Sequence, residues 1–291
     1  MPLVLGIFRS IITRLFQYLF RYLLFLLSKT IFNMLVKILK ITSITIIGII
    51  TFWLIASFFL VGQASSLVFD NKVSWASIPS YYNSKQDFVR TPDGKNVEIL
   101  SFDNSSDEYI IYLHGNAGRL LQFIPELGKK ANVISPAYPG YHASEGSPSV
   151  ENVYQTALTT YDWLTAKGIP ENKITILGHS MGGSPATYLA SVKPKAKKLV
   201  LVNTFSSIQS MCFANYSIFC VFTGDVFNSA KNAEKVIIPV RQFGYEKDTT
   251  VPFVESEKLF TYFNKTSDKK FFRLTNFTHS YPDFTMILSE I

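Results

Sequence analysis

The sequence predicts an α/β protein, a mainly parallel sheet with helices on both faces, preceded by an N-terminal transmembrane helix. Three observations predict it. Residues 41–62 hold no charged side chain. After residue 80, short apolar runs alternate with segments whose apolar residues recur at helical spacing, the signature of a covered parallel sheet. Between one such strand and one such helix lies a tight glycine-flanked turn, Gly178-His179-Ser180-Met181-Gly182.

The membrane segment comes first in the chain. Hydrophobic residues make up 47% of the 291 residues and charged residues 17%, an apolar balance for a water-soluble protein. Ile41–Gly62 is long enough for one crossing, since a helix needs roughly 20 apolar residues to span the hydrocarbon core. It begins too far from the N-terminus for a cleaved signal peptide, so a retained anchor is expected. The formal net charge is +7, and residues 1–40 carry Arg9, Arg14, Arg21, Lys29, Lys37 and Lys40 without one acid. These cations interrupt an apolar stretch instead of clustering on a folded face with aromatics between them. The expected partner is therefore the lipid bilayer, with no nucleic acid. Arg14 and Arg21 argue against a second span in residues 1–40, because each Arg at a helix centre costs roughly 2.5–3.5 kcal/mol. A helix lying in the membrane surface is the expectation for that segment. The basic flank also predicts a cytoplasmic N-terminus and a C-terminal domain on the far side. The expected organisation is residues 1–40 membrane-associated, 41–62 transmembrane, 63–79 linker and 80–291 globular.

Within the globular part, Gln86–Val89 and Val97–Leu100 read as a hairpin around Thr-Pro-Asp-Gly-Lys. Strands are expected at Tyr109–Leu113, Asn132–Ser135, Ile174–Leu177, Lys198–Val202, Val236–Phe243 and Phe271–Leu274. Helices are expected over Val150–Ala166, after Ser180, over Pro252–Phe263 and over Asp283–Ile291. Residues 204–230 form a long aromatic-rich connection, readable as a cap over a site or as a simple covering helix. Cys212 and Cys220 lie within it. They lack a second ligand pair at zinc spacing and read as small buried side chains, or as a disulfide in an oxidising compartment.

The turn around Ser180 carries the chemistry. A sharp strand-to-helix turn forces its central residue into a strained conformation, and small flanking residues let the chain pass close to itself. Ser180 is then presented at a helix N-terminus, where backbone N–H groups meet developing negative charge. A serine needs a base, and the base needs a third group to hold it. Of the four histidines, His114 and His179 belong to turns and His142 to a Gly- and Ser-rich loop, whereas His279 follows the last strand. Asp248 follows the strand ending near Phe243, with Glu246 as its local rival.

On Gly178–Gly183, His114-Gly115-Asn116-Ala117-Gly118, Tyr138–Gly146 and Asp248-Thr249-Thr250-Val251-Pro252, residues 80–291 resemble the α/β-hydrolase superfamily. Within it, the likeness is to membrane-anchored serine hydrolases that include depalmitoylase-like and lysophospholipase-like members. The resemblance implies catalysis by Ser180, Asp248 and His279, in the chain order expected there. It implies an oxyanion hole from the backbone N–H groups of Asn116 and Met181, with Ala117 as alternative to Asn116. His114 is expected to brace its turn and not to catalyse. No metal or organic cofactor is implied. The expected substrates are acyl esters or thioesters, of a lipid or an acylated protein, with the aromatic stretch Phe213–Phe227 guiding the acyl chain. The chain departs from the family pattern at three places: Tyr245 replaces a Gly three residues before the acid, Arg241 and Gln242 occupy the preceding strand, and Phe277-Thr278 replaces a Gly before the histidine. These departures support the other reading, a catalytically weak membrane interaction module.

Overall fold

Hydrogen bonding along the chain follows the predicted alternation. The computed structural model describes residues 2–69, 84–116, 123–211, 226–279 and 282–291. It divides into two compact units, Met1–Phe59 and Leu60–Ile291.

The first unit is the greater part of helix α1, Pro2–Val68, which runs without a break through residues 40 and 62 and whose last nine residues fall in the second unit. At about 1.5 Å per residue this helix is roughly 100 Å long, some three times the thickness of a bilayer core. Its stretch Thr13–Ala56 is long and apolar enough to cross a membrane, with a mean hydropathy of 2.1. Large apolar side chains from Leu15 to Ile55 are exposed around it. Several hydroxyls within it are satisfied by the helix's own carbonyls: Thr30 donates to Leu26 O at 2.9 Å, Thr42 to Ile38 O at 3.0 Å, Ser43 to Leu39 O at 2.7 Å and Thr45 to Ile41 O at 2.9 Å. Such back-bonding removes the cost of a hydroxyl in hydrocarbon.

The second unit is an eight-stranded sheet: β1 (Ser84–Arg90), β2 (Asn96–Phe102), β3 (Tyr109–Leu113), β4 (Asn132–Pro136), β5 (Ile174–His179), β6 (Lys198–Val202), β7 (Val240–Tyr245) and β8 (Lys269–Leu274). Their order is β1-β2-β4-β3-β5-β6-β7-β8. Only β2 breaks the parallel run, pairing antiparallel with both β1 and β4. Side chains alternate between two cores. From β3 and β6, Ile111, Leu113, Leu199 and Leu201 face one core, and Ile110, Tyr112, Val200 and Val202 the other. The first core includes residues of α3 (Val150–Ala166), α4 (Gly183–Val192), α5 (Ser229–Ala233) and α6 (Phe253–Thr261). The second is covered by α2 (Ile124–Leu127) and α7 (Phe284–Ser289).

The predicted strand Val236–Phe243 begins later, at Val240. Pro239 lacks an N–H for the ladder, so pairing starts only after it. Strand β5 runs two residues beyond the predicted Leu177, through Gly178 and His179, which pair with Leu201 and Val202. Cys212, Cys220 and residues 212–225 of the 204–230 connection lie outside the described residues, as do Ala117, Gly118 and most of the 63–79 segment. Of the connection's described part, residues 208–211 are helical.

Candidate functional site

The site forms at the carboxyl ends of the parallel strands. Ser180 follows β5 at once and takes φ +55°, a left-handed conformation that costs a side-chain-bearing residue energy and is held by its surroundings. Two glycines allow the turn. A Cβ on Gly178 would lie 2.5 Å from Gly182 O, and one on Gly182 only 2.0 Å from Leu113 O at the end of β3. Thr204, just after β6, donates its hydroxyl to Ser180 O at 2.8 Å and so ties the turn to the next strand.

The structure brings Ser180, His279 and Asp248 into one hydrogen-bonded chain. His279 Nε2 lies 3.0 Å from Ser180 Oγ, and His279 Nδ1 lies 2.6 Å from Asp248 Oδ2. The other carboxylate oxygen, Oδ1, accepts from the N–H groups of Thr250 and Val251, both at 2.8 Å. Asp248 is thereby aimed by its own loop. Glu246, the alternative acid, turns outward and pairs with Arg273.

A further histidine enters the arrangement. His179 Nε2 lies 3.0 Å from the backbone carbonyl of His279. Burial, with the charge of neighbouring His279 as a lesser cause, holds the His179 pKa down at about 3. The ring is therefore neutral at ordinary pH, and its Nε2–H donates to that carbonyl. The sequence reading assigned His179 to the turn and missed this bond. The chain's order alone carries no sign of it, because the two residues are 100 positions apart.

Asn116 is the third residue after β3. Gly115 passes so near the turn that a Cβ there would lie 3.2 Å from Ser180 Cβ. Met181 follows Ser180 and is buried. His114 is fully buried, and desolvation lowers its pKa to about 4. Its neutral Nδ1–H donates to Gly115 O at 2.7 Å.

The departures from the family pattern have partners. Tyr245 and Phe277, each standing where a Gly was expected, pack on one another with ring centroids 5.7 Å apart. The Tyr245 hydroxyl also accepts from Asp283 N at 3.0 Å. Arg241 bonds Asp268 and Glu290, each at 2.8 Å. Gln242 donates to Ser256 O at 2.7 Å.

Residues 108–249 match the family model described as alpha/beta hydrolase fold. The lysophosphatidylserine lipase ABHD12 of Danio rerio is 30% identical over 185 residues, covering 54% of this chain and 47% of that protein. The alpha/beta hydrolase domain-containing protein aho-3 of Caenorhabditis elegans is 30% identical over 150 residues, covering 50% and 44%. The chain thus spans about half the length of these relatives. Among solved structures, an α/β hydrolase from Vibrio vulnificus superposes with a TM-score of 0.63 at 18% identity, covering 80% of this chain and 89% of that one. An esterase from Pyrococcus furiosus does so with a TM-score of 0.59 at 17% identity, covering 71% and 86%. These two likenesses show the α/β-hydrolase fold.

Proposed function

We propose that this chain, which belongs to the α/β-hydrolase superfamily, is a serine ester hydrolase acting on single-chain acyl lipids at a membrane. The observation that carries the reading is the chain of hydrogen bonds from Asp248 through His279 to Ser180. In the proposed reaction Ser180 Oγ attacks the acyl carbonyl carbon while its proton passes to His279 Nε2. The N–H groups of Asn116 and Met181 bind the resulting oxyanion. Collapse of the tetrahedral adduct breaks the bond to the leaving alcohol, which takes the proton from His279. Water then attacks the acyl-enzyme, giving its proton to His279. The acid departs and Ser180 recovers its proton. Asp248 stays a carboxylate throughout and steadies the imidazolium.

The lipid class follows from the relative in Danio rerio, named for lysophosphatidylserine, and from the apolar helix Thr13–Ala56. That helix holds the protein at the bilayer from which such a substrate is drawn. The basic flank of residues 1–40 supports a cytoplasmic N-terminus and a catalytic unit on the opposite side. Protease protection of the C-terminal unit in sealed vesicles tests that orientation, and digestion from the cytoplasmic face refutes it.

Detergent-solubilised full-length protein, treated with a fluorophosphonate probe and assayed on lysophospholipid and acyl thioester micelles, tests the activity. Native protein is expected to label and to release fatty acid, and Ser180→Ala to do neither, with a loss on the order of 10⁴–10⁶ in rate. A folded native protein that neither labels nor hydrolyses would return the chain to the interaction-module reading. Turnover of thioesters in preference to lysophospholipids would move the substrate to acylated proteins.

A further inference from the structure

The stretch Tyr138–Gly146 is the one motif that the proposed reaction leaves without a task. We infer that Tyr138 and Tyr141 are positioning residues that fix the peptide between Gly115 and Asn116, so that the Asn116 N–H is aimed at the oxyanion before substrate arrives. The inference rests on the reading of Asn116 as an oxyanion donor.

The loop 114–116 is held at three points. Tyr138 donates its hydroxyl to His114 O at 3.0 Å. Tyr141 donates to Asn116 Oδ1 at 3.1 Å. Between them, His114 Nδ1–H donates to Gly115 O at 2.7 Å. A trans peptide is planar, with its C=O and N–H pointing in opposite directions. Fixing the Gly115 carbonyl on His114 therefore fixes the direction of the Asn116 N–H. The His114 ring cannot turn freely, because it packs against Tyr138 at 4.0 Å between centroids and against Tyr141 at 5.5 Å. Its Nε2 is buried without a hydrogen-bond partner among the described residues. The histidine thus keeps one useful bond, the one to Gly115 O, and bears the cost of an unsatisfied nitrogen to keep it.

The tyrosines are themselves anchored from the far end of their loop. Glu98, on β2 and almost wholly buried, accepts from Ala143 N at 3.0 Å and from Gln86 Nε2 at 2.7 Å, and it pairs with His142. Ser144 completes the anchor, accepting from Glu98 N at 2.9 Å and donating to Ala137 O at 2.7 Å. His142 takes φ +49°, a left-handed conformation held by this network. The resulting chain of contacts runs from β2 through the 138–146 loop to the peptide that faces Ser180. Rigid placement matters because an oxyanion donor acts through being in position beforehand.

Tyr138→Phe and Tyr141→Phe remove only the hydroxyls. On a soluble p-nitrophenyl ester each is expected to lower kcat about three- to tenfold and leave KM within about twofold. A trifluoromethyl ketone, which forms a tetrahedral adduct on Ser180 and needs the oxyanion donors, should lose affinity in parallel with kcat/KM. Tyr141→Phe combined with Asn116→Ala should lose no more than the worse single variant, since both break one bond. Unchanged kcat and inhibitor affinity in a native enzyme whose activity needs Ser180 would overturn the clamp and leave the hydrolase reading standing. Equal losses in kcat and in binding of a ground-state ester analogue would also overturn it, by assigning the tyrosines to packing. A native enzyme without Ser180-dependent turnover refutes the hydrolase reading itself. If a phenylalanine variant does not fold, Glu98→Gln loosens the loop from its other end, and the same split between kcat and KM decides.

Discussion

The two ends of the sheet hold their charges in opposite ways. At the end where the parallel strands begin, carboxylates meet ammonium and guanidinium groups. Lys173 bonds Asp107 at 2.8 Å and Glu108 at 3.3 Å, Lys197 bonds Glu108 at 2.9 Å, and Arg241 joins Asp268 and Glu290. At the end where those strands finish, three buried carboxylates meet neutral donors and histidines, while the more exposed Glu246 pairs with Arg273. Asp248 is held by two backbone N–H groups and His279. Glu98 is held by Gln86, Ala143 N and His142. Glu255 is held by the hydroxyls of Ser206 and Ser210 at 2.7 Å each. None of these three is paired with a lysine or arginine among the described residues. In the proposed reaction, a fixed cation beside Asp248 would neutralise the charge that the imidazolium of His279 needs. Neutral donors orient the carboxylate and leave its charge to the histidine. One end of the sheet fastens strands, and the other sets direction.

The sharpest break in this contrast comes at Asp248. Asp248→Asn keeps the shape and removes the charge, and it also favours the wrong tautomer of His279. It is expected to lower kcat by about 10⁴ on any ester that the native enzyme turns over. Glu246→Gln, two residues away, is expected to stay within about twofold, because Glu246 faces Arg273. Steady-state kinetics on the two variants side by side checks the assignment, and comparable losses in both would defeat it.

The histidines of the working end give a second contrast, in stability. The His114 and His179 pKa values lie at about 4 and about 3, below the ordinary value of 6.5, chiefly through burial. The unfolded chain therefore binds protons that the folded chain refuses. Stability is full above about pH 6.5 and falls as pH drops through 4 toward 3. A pKa lowered by one unit corresponds to about 1.4 kcal/mol, so the effect of each histidine over that range is on the order of a few kcal/mol. Urea denaturation of the full-length protein in detergent between pH 7 and 4 should follow this slope. His179→Phe should flatten it by its own share. A slope unchanged in that variant would locate the acid sensitivity elsewhere.

His179 also exposes what a sequence can disclose. Tyr109–Leu113, Val150–Ala166 and Lys198–Val202 occur with the predicted bounds, because each is a local apolar pattern between plain breaks. The turn at Ser180 was legible for the same reason, its glycines standing beside it. What was not legible depends on residues far apart in the chain. Arg241 looks out of place in β7 until Asp268 and Glu290 come to it. Tyr245 and Phe277 look like two separate departures until they are seen to fill each other's space. The bond from His179 to the His279 carbonyl spans the whole site without any pattern at either end. His179→Phe should lower kcat about tenfold with KM within twofold, since it frees the loop that carries His279, the proposed base. His179→Gln, which retains a donor, should recover part of the loss. A fall in KM and kcat together, without recovery in the Gln variant, would reduce His179 to packing.

The smallest effect on catalysis belongs to the fastening end. Arg241 is nearly buried, and its guanidinium bridges Asp268, which faces water, and Glu290, which is mostly covered. Arg241→Met fills much of the same space and leaves the Glu290 carboxylate only the more distant Lys270, at 4.0 Å. Breaking a fully buried pair costs about 3–5 kcal/mol, and the exposed side of this one brings the expected loss nearer 2 kcal/mol. Arg241→Lys should recover little of it, because a single ammonium cannot serve two carboxylates with the planar geometry of a guanidinium. In both variants kcat should stay within about twofold of native, for the strand carries Asp248 at its other end, beyond the Tyr245 N–H that Asn203 Oδ1 accepts at 3.1 Å. Chemical denaturation and kinetics on the same preparations check the separation. If Arg241→Met lowered kcat as much as His179→Phe, strain would be passing along β7 from one end to the other, and the two ends would have to be treated as a single device.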